Sequence, residues 1–236
     1  MNVVILQPSY LPWRGYFHLI QQADIFVFYD DVQYDEHGWR NRNQIKTAQG
    51  AQWLSVPVLT KGIHTNAIQI KDVVIQQNKP WRTKHWRTIE QNYRRAPYFE
   101  QFAPMVADFY KVDYEHLADL TVASTILIAR TLGLTTTRFL RSSQLPSEGG
   151  RTNRLISLLK HLGATRYISG PSGANYIEPQ MFSAAGIELK YMEYDYPAYP
   201  QLYGSFVASL SVIDLLFNVG ERSGSYIWST PSVMSP

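Results

Sequence analysis

The first thirty residues alternate between short apolar runs and a helix-like segment, and this pattern restricts the fold more than any other feature of the chain. Residues 3–6 are β-rich and apolar, as is typical of a strand buried on both faces. Residues 13–22 have the spacing of an amphipathic helix, and residues 25–29 form a second, aromatic-rich strand. A tight strand–helix–strand unit of this kind favours a parallel pair of strands.

The same alternation returns after the middle of the chain. Strands and helices are predicted in turn at residues 137–140, 151–162, 166–168, 179–185 and 188–194. Elements in this order predict an α/β protein with a mainly parallel, Rossmann-like sheet and helices on both faces. We therefore expect a single α/β domain over residues 1–221, with an insertion at residues 33–132.

The insertion is expected to combine a β-hairpin with helices. Residues 53–59 alternate like a strand and are predicted to pair with residues 67–70 as an antiparallel hairpin around Gly62. Pro80 suits a first helical turn, and Gly133 suits a helix stop. The predicted helices cover residues 80–95, 98–110 and 114–132.

The C-terminal part is predicted to contain one long helix and a loose tail. A helix over residues 204–219 places Ser211, Asp214 and Asn218 on a polar stripe, which we expect to face water unless Asp214 pairs with an arginine. Residues 222–236 mix Ser, Pro and Gly and are expected to form a flexible tail or an arm that packs on a partner. A homodimer is therefore a candidate assembly.

Composition narrows the chemistry and the cell compartment. The chain has no cysteine, which excludes thiol nucleophiles, disulfides and thiolate metal sites. Its six histidines are scattered without a His-x-His or His-x-x-x-His pair, so no metal site is predicted from them. No apolar run approaches the length that spans a bilayer, and the N-terminal one is too short for a signal peptide. We expect a cytoplasmic protein without a membrane partner.

Charge is distributed unevenly along the chain. The formal net charge of +3 is too small to indicate a nucleic-acid partner. Residues 36–95, however, hold eleven Lys or Arg against three Asp or Glu. Such a basic block favours an anionic ligand, such as a phosphate, a nucleotide or a carboxylate, with a solvated basic face as the equal alternative.

A candidate anion clamp lies in residues 39–46 (Trp-Arg-Asn-Arg-Asn-Gln-Ile-Lys). A guanidinium group is a planar, bidentate donor to phosphate or carboxylate, and a tryptophan ring can stack on a base or a sugar. The binding residues predicted in this segment are Trp39, Arg40, Asn41, Arg42 and Lys46.

Polar segments directly follow three of the predicted parallel strands. They are residues 7–16 (Gln-Pro-Ser-Tyr-Leu-Pro-Trp-Arg-Gly-Tyr), the adjacent pair Asp30 and Asp31, and residues 169–176 (Ser-Gly-Pro-Ser-Gly-Ala-Asn-Tyr). Because an open parallel sheet binds ligands outside the carboxyl ends of its strands, we expect one crevice there. Its candidate binding residues are Gln7, Tyr10, Trp13, Asp30, Ser169, Ser172 and Tyr176.

Two residues of this edge, Tyr16 and Asp31, are candidates for catalysis. An aspartate at the end of a strand can accept bonds from ribose hydroxyls or hold Mg²⁺, so Mg²⁺ is the candidate cofactor. The alternative is that the aromatic rings pack the turn and the aspartates cap a turn or a helix.

Taken together, these motifs resemble the WbqC-like protein family. The resemblance covers nearly the whole chain and rests on residues 7–16, 23–33, 39–46, 53–57, 81–99, 167–176 and 211–220. It implies a role beside bacterial surface-polysaccharide genes, such as those of O-antigen biosynthesis, and nucleotide-sugar genes. It also implies a functionally important histidine, which His85 fits best.

His85 can also be assessed on physical grounds. It follows Trp81 by one helical turn and has Arg82 and Lys84 beside it. These cations would lower its pKa and keep the ring neutral, as a general base requires. The alternative is a partly buried helix histidine that is bonded to a carbonyl.

We therefore expect an enzyme that transfers an acyl, aminoacyl or nucleotidyl group to an amine or hydroxyl of a phosphate-bearing metabolite such as a nucleotide sugar. In this hypothesis the basic block holds the anion and His85 deprotonates the acceptor. The alternative is a non-catalytic protein of the same pathway that binds a nucleotide sugar or serves as a scaffold.

Overall fold

Five parallel strands form the central sheet of the computed structural model, which describes residues 1–36, 38–59 and 68–228. Two further strands form a separate antiparallel hairpin. The seven strands are β1 (Asn2–Leu6), β2 (Ile25–Phe28), β3 (Arg42–Thr47), β4 (Gly50–Ser55), β5 (Arg138–Arg141), β6 (Arg166–Ser169) and β7 (Glu188–Tyr191). The predicted α/β class with a mainly parallel sheet is confirmed.

The chain leaves the centre of the sheet in two directions. The strand order is β5–β2–β1–β6–β7, so the chain runs outward from β1 to β2 and β5 and then returns to the other side of β1. β1 and β6 pair through Asn2 with Arg166 and Val3 with Tyr167. Where the strand order reverses in this way, a crevice opens outside the carboxyl ends of the two strands. The topology therefore favours a crevice at the ends of β1 and β6.

Helices cover both faces of the sheet, as the sequence predicts. They are α1 (Arg14–Gln22), α2 (Trp81–Tyr93), α3 (Phe99–Lys111), α4 (Leu117–Thr131), α5 (Arg151–His161), α6 (Pro179–Ala184) and α7 (Val212–Val219). Val4 and Phe26 pack in one core with α1, whereas Val3 and Ile25 pack in a second core with α5 and α6. Successive strand residues point to opposite faces, so this alternation separates the two cores.

The predicted partner of the hairpin strand is wrong. β4 pairs with β3, which precedes it, in a register that runs from Arg42 opposite Ser55 to Thr47 opposite Gly50. Gly50 has φ of 108° at this turn, a conformation that favours glycine. Ile70 instead begins a short 3₁₀ segment. Gly62 and Ala67, on which the prediction depended, lie outside the described residues.

The last helix is shorter than predicted. α7 begins at Val212, because the Ser211 side chain caps it by accepting a bond from the backbone N–H of Ile213. Gly204 and Ser209 have positive φ, which a helix over residues 204–219 does not allow.

The polar stripe of α7 is buried, contrary to expectation. Asp214 is fully buried and accepts hydrogen bonds from Tyr93, at 2.7 Å, Tyr199, at 2.7 Å, and Gln201, at 2.8 Å. Burial raises the pKa of Asp214. Asp214 is thus bound by neutral donors and not by an arginine, which was the predicted alternative to a water-facing position.

The segment predicted as a tail lies partly outside the described residues. Gly220–Tyr226 forms a 3₁₀ segment, and Ile227 is buried in the core that contains α1.

None of the helices in the described parts of the chain is long and apolar enough to cross a membrane.

Candidate functional site

Two adjoining cavities occupy the carboxyl ends of β1 and β6. The larger has a volume of about 1040 Å³ and the smaller a volume of about 320 Å³. Leu6 at the end of β1, Arg40, and Ser172 in the loop after β6 border both cavities. We call the two cavities together the sheet-edge crevice.

The sheet-edge crevice contains residues from all three polar segments. The predicted residues that line the larger cavity are Gln7, Asp31, Arg40, Ser172 and Tyr176. Those that line the smaller cavity are Trp13, Tyr16, Trp39, Arg40 and Ser172. The predicted site residues that line neither cavity are Tyr10, Asp30, Asn41, Arg42, Lys46, His85 and Ser169.

The segment between β1 and α1 is held in place by the hairpin. The backbone N–H of Tyr10 donates to the carbonyl of Trp39, and the Asn43 side chain donates to the carbonyls of Tyr10 and Leu11. Leu11 has φ of 41°, and the two Asn43 bonds hold its peptide in that turn. These bonds place Trp39 and the start of α1 on the same side of the crevice.

Arg40 stands where the two cavities meet. Its Nη1 donates to the carbonyl of Gln7, at 3.3 Å, and to the hydroxyl of Ser9, at 3.1 Å. Its Nε is buried without a hydrogen-bond partner among the described residues. Burial lowers the pKa of Arg40 from its usual value. An arginine with an unsatisfied N–H in a crevice is well suited to an incoming oxyanion.

Asp31 and Arg154 form a second charged group at the larger cavity. One carboxylate oxygen of Asp31 pairs with the Arg154 guanidinium, and the other accepts from the hydroxyl of Ser142. Arg154 also donates to Ser147 and lies over the ring of Tyr29, with 5.5 Å to its centroid. Both carboxylate oxygens of Asp31 therefore already have partners, and the ion pair with Asp31 holds Arg154 in the cavity wall.

The start of α5 adds further positive charge. Gly149, Gly150 and Arg151 line the larger cavity, and Gly150 caps α5 without a side-chain hydrogen bond. The first backbone N–H groups of a helix have no partner within the helix, and its N-terminus carries partial positive charge. This helix start faces the same cavity as Arg40 and Arg154.

Aromatic rings line the smaller cavity. The ring of Trp13 meets Tyr194 edge-on with centroids 4.8 Å apart. Gly15 lies so close that a Cβ there would be 2.3 Å from the Trp13 ring. The Tyr16 hydroxyl donates to the carbonyl of Gln7, at 3.1 Å, and burial raises its pKa, so Tyr16 stays protonated. This pocket offers flat apolar surfaces to a ring.

Asp30 and Ser169 lie beneath the crevice and not in it. Asp30 is fully buried and accepts bonds from Arg141, at 2.6 Å, and from the backbone N–H of Ser143, at 3.1 Å. The Ser169 hydroxyl donates to the carbonyl of Gly170 at 3.1 Å. Both side chains stabilise the loops that carry their neighbours.

The candidate clamp is divided among different parts of the molecule. Asn41 donates to the carbonyl of Val56, and Arg42 lies over the ring of Trp53 at 4.6 Å. Lys46 is buried and donates to Gln201 and to the carbonyl of Ser205. Trp39 and Arg40 remain as the clamp residues that line the crevice.

His85 lies in a different cavity, between the hairpin and α2. Its Nδ1 is 2.9 Å from the hydroxyl of Tyr10, which is also hydrogen-bonded to Tyr110. Burial lowers the pKa of His85 to about 4, although a bond to the backbone of Ser55 opposes this shift. The ring is therefore neutral, as predicted, but its contacts are with buried neighbours. Its catalytic role stays a prediction.

Sequence reasoning missed several crevice residues. Arg154, Tyr194 and Glu178 line the cavities but were not predicted. A basic residue and Gly149-Gly150 at a helix start following a parallel strand were visible signals for Arg154. Tyr194 lies beyond the end of β7, and nothing in its spacing distinguishes it from the other tyrosines.

Within the described residues, no group of three or more His, Asp or Glu is placed to hold a metal ion. Asp30 and Asp31, the candidates for Mg²⁺, are instead engaged by Arg141 and Arg154.

The fold and the site define a Rossmann-like α/β protein with a basic, aromatic-lined crevice at the point where the strand order reverses. The chain belongs to the WbqC-like protein family, whose model matches residues 7–226, and the predicted family is thereby confirmed. It is similar to the uncharacterized protein Rv1507c of Mycobacterium tuberculosis (strain ATCC 25618 / H37Rv), with 40% identity over 228 residues, 96% of this chain and 97% of that protein. No solved structure matches the chain.

Proposed function

We propose that the protein binds a phosphate-bearing metabolite with a ring, of the nucleotide-sugar kind, in the sheet-edge crevice. The observation that carries this proposal is the position of Arg40, which borders both cavities and has a buried, unpartnered Nε. A ligand whose phosphate meets Arg40 can extend into both cavities at once.

The larger cavity suits the phosphates. Arg154 and the start of α5, with Arg151, supply positive charge from one side, and Arg40 supplies it from the other. Ser172 can add a hydroxyl donor. Helix N-termini and arginine pairs are common elements of phosphate sites.

The smaller cavity suits a ring. Trp13, Trp39 and Tyr194 present aromatic surfaces around a volume of about 320 Å³. Trp39 is 44% exposed, so its ring remains open to stacking. Aromatic faces bind bases and the apolar faces of sugars.

The reaction that we propose is transfer of an acyl, aminoacyl or nucleotidyl group to an amine or hydroxyl. The acceptor nitrogen or oxygen attacks the carbonyl carbon or phosphorus of the donor, and the donor's bond to its leaving group breaks. Glu178 supplies a carboxylate at the larger cavity to take the acceptor's proton. Glu178 is exposed, and no ion pair engages it among the described residues. The positive charge of the arginines would stabilise the negative charge of the phosphate during binding and during the transfer step.

A second candidate is non-catalytic binding in the same pathway. It is favoured by the engagement of the three side chains first predicted to be catalytic. Asp31 is paired with Arg154, Tyr16 stays protonated, and His85 lies in another cavity.

Binding and turnover can be tested separately. UDP-glucose, UMP and free glucose should be titrated into the protein, with and without Mg²⁺, while the melting temperature is followed. We expect UDP-glucose and UMP to raise it, and Arg40→Gln to weaken their binding roughly 10–100-fold. Arg138→Gln is the matched control, because Arg138 is exposed at the opposite edge of the sheet.

Turnover is then measured in two ways. UDP-glucose serves as nucleotidyl donor to a mixture of amine and hydroxyl acceptors, which releases glucose 1-phosphate, and it serves as the hydroxyl-bearing acceptor of an acyl or aminoacyl group from a thioester or ester donor, which releases the thiol or alcohol. Glu178→Gln should lower the rate roughly 10²-fold or more and leave binding unchanged. Saturable binding without turnover would support the non-catalytic alternative. Binding that Arg40→Gln leaves intact would contradict the proposed site.

A further inference from the structure

The third cavity lies between the hairpin and α2, and the proposed function does not use it. It has a volume of about 470 Å³. Its wall is formed by Trp53 and Ser55 of β4, Pro57, and the first two turns of α2 from Trp81 onward. We call it the hairpin–helix cavity.

The charges around this cavity have one sign. Lys79 and Lys84 line it and are exposed, and no carboxylate is among its described lining residues. The N-terminus of α2 begins at the cavity, with no acidic residue in its first turn and no side-chain cap. His85 is neutral because its pKa lies near 4. A helix N-terminus and two lysines thus create an electropositive cavity.

An unsatisfied donor belongs to the same wall. Trp81 is 4% exposed, and its indole N–H is buried without a hydrogen-bond partner among the described residues. Buried donors are usually satisfied, and an unsatisfied donor indicates a missing acceptor. Trp81 also lines the cavity, so its N–H is a candidate donor to an acceptor bound there.

The opposite wall offers a stacking surface. Trp53 is 42% exposed and contacts Trp39 at a tilt of 40°, with ring centroids 5.2 Å apart. Arg42 lies over the Trp53 ring at 4.6 Å and holds it in place. Pro57 and Pro80 add further rigid apolar surface.

We propose that the hairpin–helix cavity is a second small-molecule site, for a phosphate or carboxylate group carried on a sugar ring. The anion would lie at Lys79, Lys84 and the start of α2, and the ring would lie against Trp53. Trp39 lines the smaller cavity of the crevice and contacts Trp53, so the two sites are neighbours. The site does not depend on the proposed function, although a neighbouring anionic sugar would be a natural acceptor for it.

Calorimetric titration with glucose 6-phosphate, glucuronate and uncharged glucose tests the proposal. The first two distinguish phosphate from carboxylate as the preferred anion, and glucose should not bind measurably. Lys79→Gln with Lys84→Gln should weaken binding of the preferred anion roughly tenfold or more. The matched control is Lys111→Gln with Lys160→Gln, a pair of exposed lysines on α3 and α5.

Trp81→Phe provides an independent check. It keeps an aromatic ring in the core and removes the N–H, so it should weaken binding. The smaller ring leaves a void that lowers the melting temperature, so the affinities are compared at a temperature at which both proteins are folded. Trp53→Ala should also weaken binding, because it removes the surface against which the sugar ring would lie; Trp53 is 42% exposed.

Arg40→Gln separates this site from the sheet-edge crevice. The proposal is overturned if Arg40→Gln loses binding of the sugar anions and the lysine variant keeps it. It is also overturned if neither anion shows saturable binding. Affinity retained in Arg40→Gln and lost in the lysine variant supports it, whether or not UDP-glucose binds elsewhere.

Discussion

At the scale of single residues, His85 shows how a side chain suited to catalysis can be committed to structure. Its Nδ1 meets the hydroxyl of Tyr10, whose backbone in turn holds Trp39 and Asn43 at the crevice. Removing the imidazole would therefore disturb the crevice through Tyr10 without His85 touching a ligand. A functional histidine need not be a general base.

The depressed pKa of His85 predicts how stability depends on pH. The folded pKa of about 4 lies below the ordinary value of 6.5, so between these values the unfolded chain binds a proton that the folded chain does not. Stability from this group is complete above pH 6.5 and is lost as the pH falls towards 4, by about 3 kcal/mol in all.

Urea unfolding of wild type and His85→Gln at pH 7 and pH 5 measures this effect. Wild type should lose more stability than the variant over that interval, since other titrating groups are common to both. Equal losses would mean that His85 titrates normally.

Residue types and their strand-end positions were enough to predict part of the crevice. Gln7, Asp31 and Ser172 were predicted because each lies just beyond a parallel strand, and strand ends converge at one edge. Asp30 was predicted to bind for the same reason, and Lys46 because it belongs to the basic segment of residues 39–46. Arg141 and Gln201 engage them from more than a hundred residues away. Such distant partners leave no local pattern.

At the scale of elements, the strands and most helices followed from periodicity because each buries one face in a core. The hairpin and α7 did not. β3 carries charged and polar residues, so it lacks the apolar alternation of a strand, yet Ile45 and the stem of Lys46 are buried. The start of α7 depends on the Ser211 cap and on the positive φ of Ser209, which periodicity does not report.

The start of α1 links helix formation to the shape of the smaller cavity. A methyl group at Gly15 would collide with the Trp13 ring, which must then move. Alanine also favours a helix over glycine by about 1 kcal/mol. Gly15→Ala should therefore leave the melting temperature unchanged or raised, while it weakens UDP-glucose binding roughly tenfold by displacing the ring.

A double-mutant cycle identifies the cause. In a Trp13→Ala background the methyl group has nothing to displace, so Gly15→Ala should have no further effect on affinity. An equal loss of affinity in both backgrounds would show that Gly15 acts through the backbone.

At the scale of the whole molecule, the basic block does not form one surface. Arg40 borders the sheet-edge crevice, Lys46 is buried near Asp214, and Lys79 and Lys84 line the hairpin–helix cavity. An anion site and a solvated basic face would each require these side chains to form one continuous surface, but the folded chain places them in separate parts of the molecule. The sequence gives the number of charged residues in the block, but only the tertiary contacts show how these residues are distributed among the two cavities and the core.

Arg14 joins three distant parts of the chain around the smaller cavity. It is 6% exposed, and its Nη1 donates to the carbonyls of Pro197, at 2.8 Å, and Tyr226, at 3.0 Å. Its guanidinium also lies over the ring of Tyr196, at 4.8 Å. Tyr196 stacks on Tyr194, which lines the cavity. Arg14 thus fixes a loop that would otherwise have few regular hydrogen bonds.

Arg14→Met should release that loop while keeping much of the side-chain volume. The carbonyls of Pro197 and Tyr226 lose a charged donor, at a cost of about 1–3 kcal/mol. Limited proteolysis should then cut near residues 195–206 faster than in wild type or in Arg138→Gln, and UDP-glucose should bind more weakly because Tyr194 is no longer held. Since ligand binding stabilises the closed loop, added UDP-glucose should slow the cutting in wild type. The variant could instead be cut at the same sites as wild type, at a rate that global unfolding explains. That result would show that Arg14 stabilises the whole fold and does not specifically order the loop at the crevice.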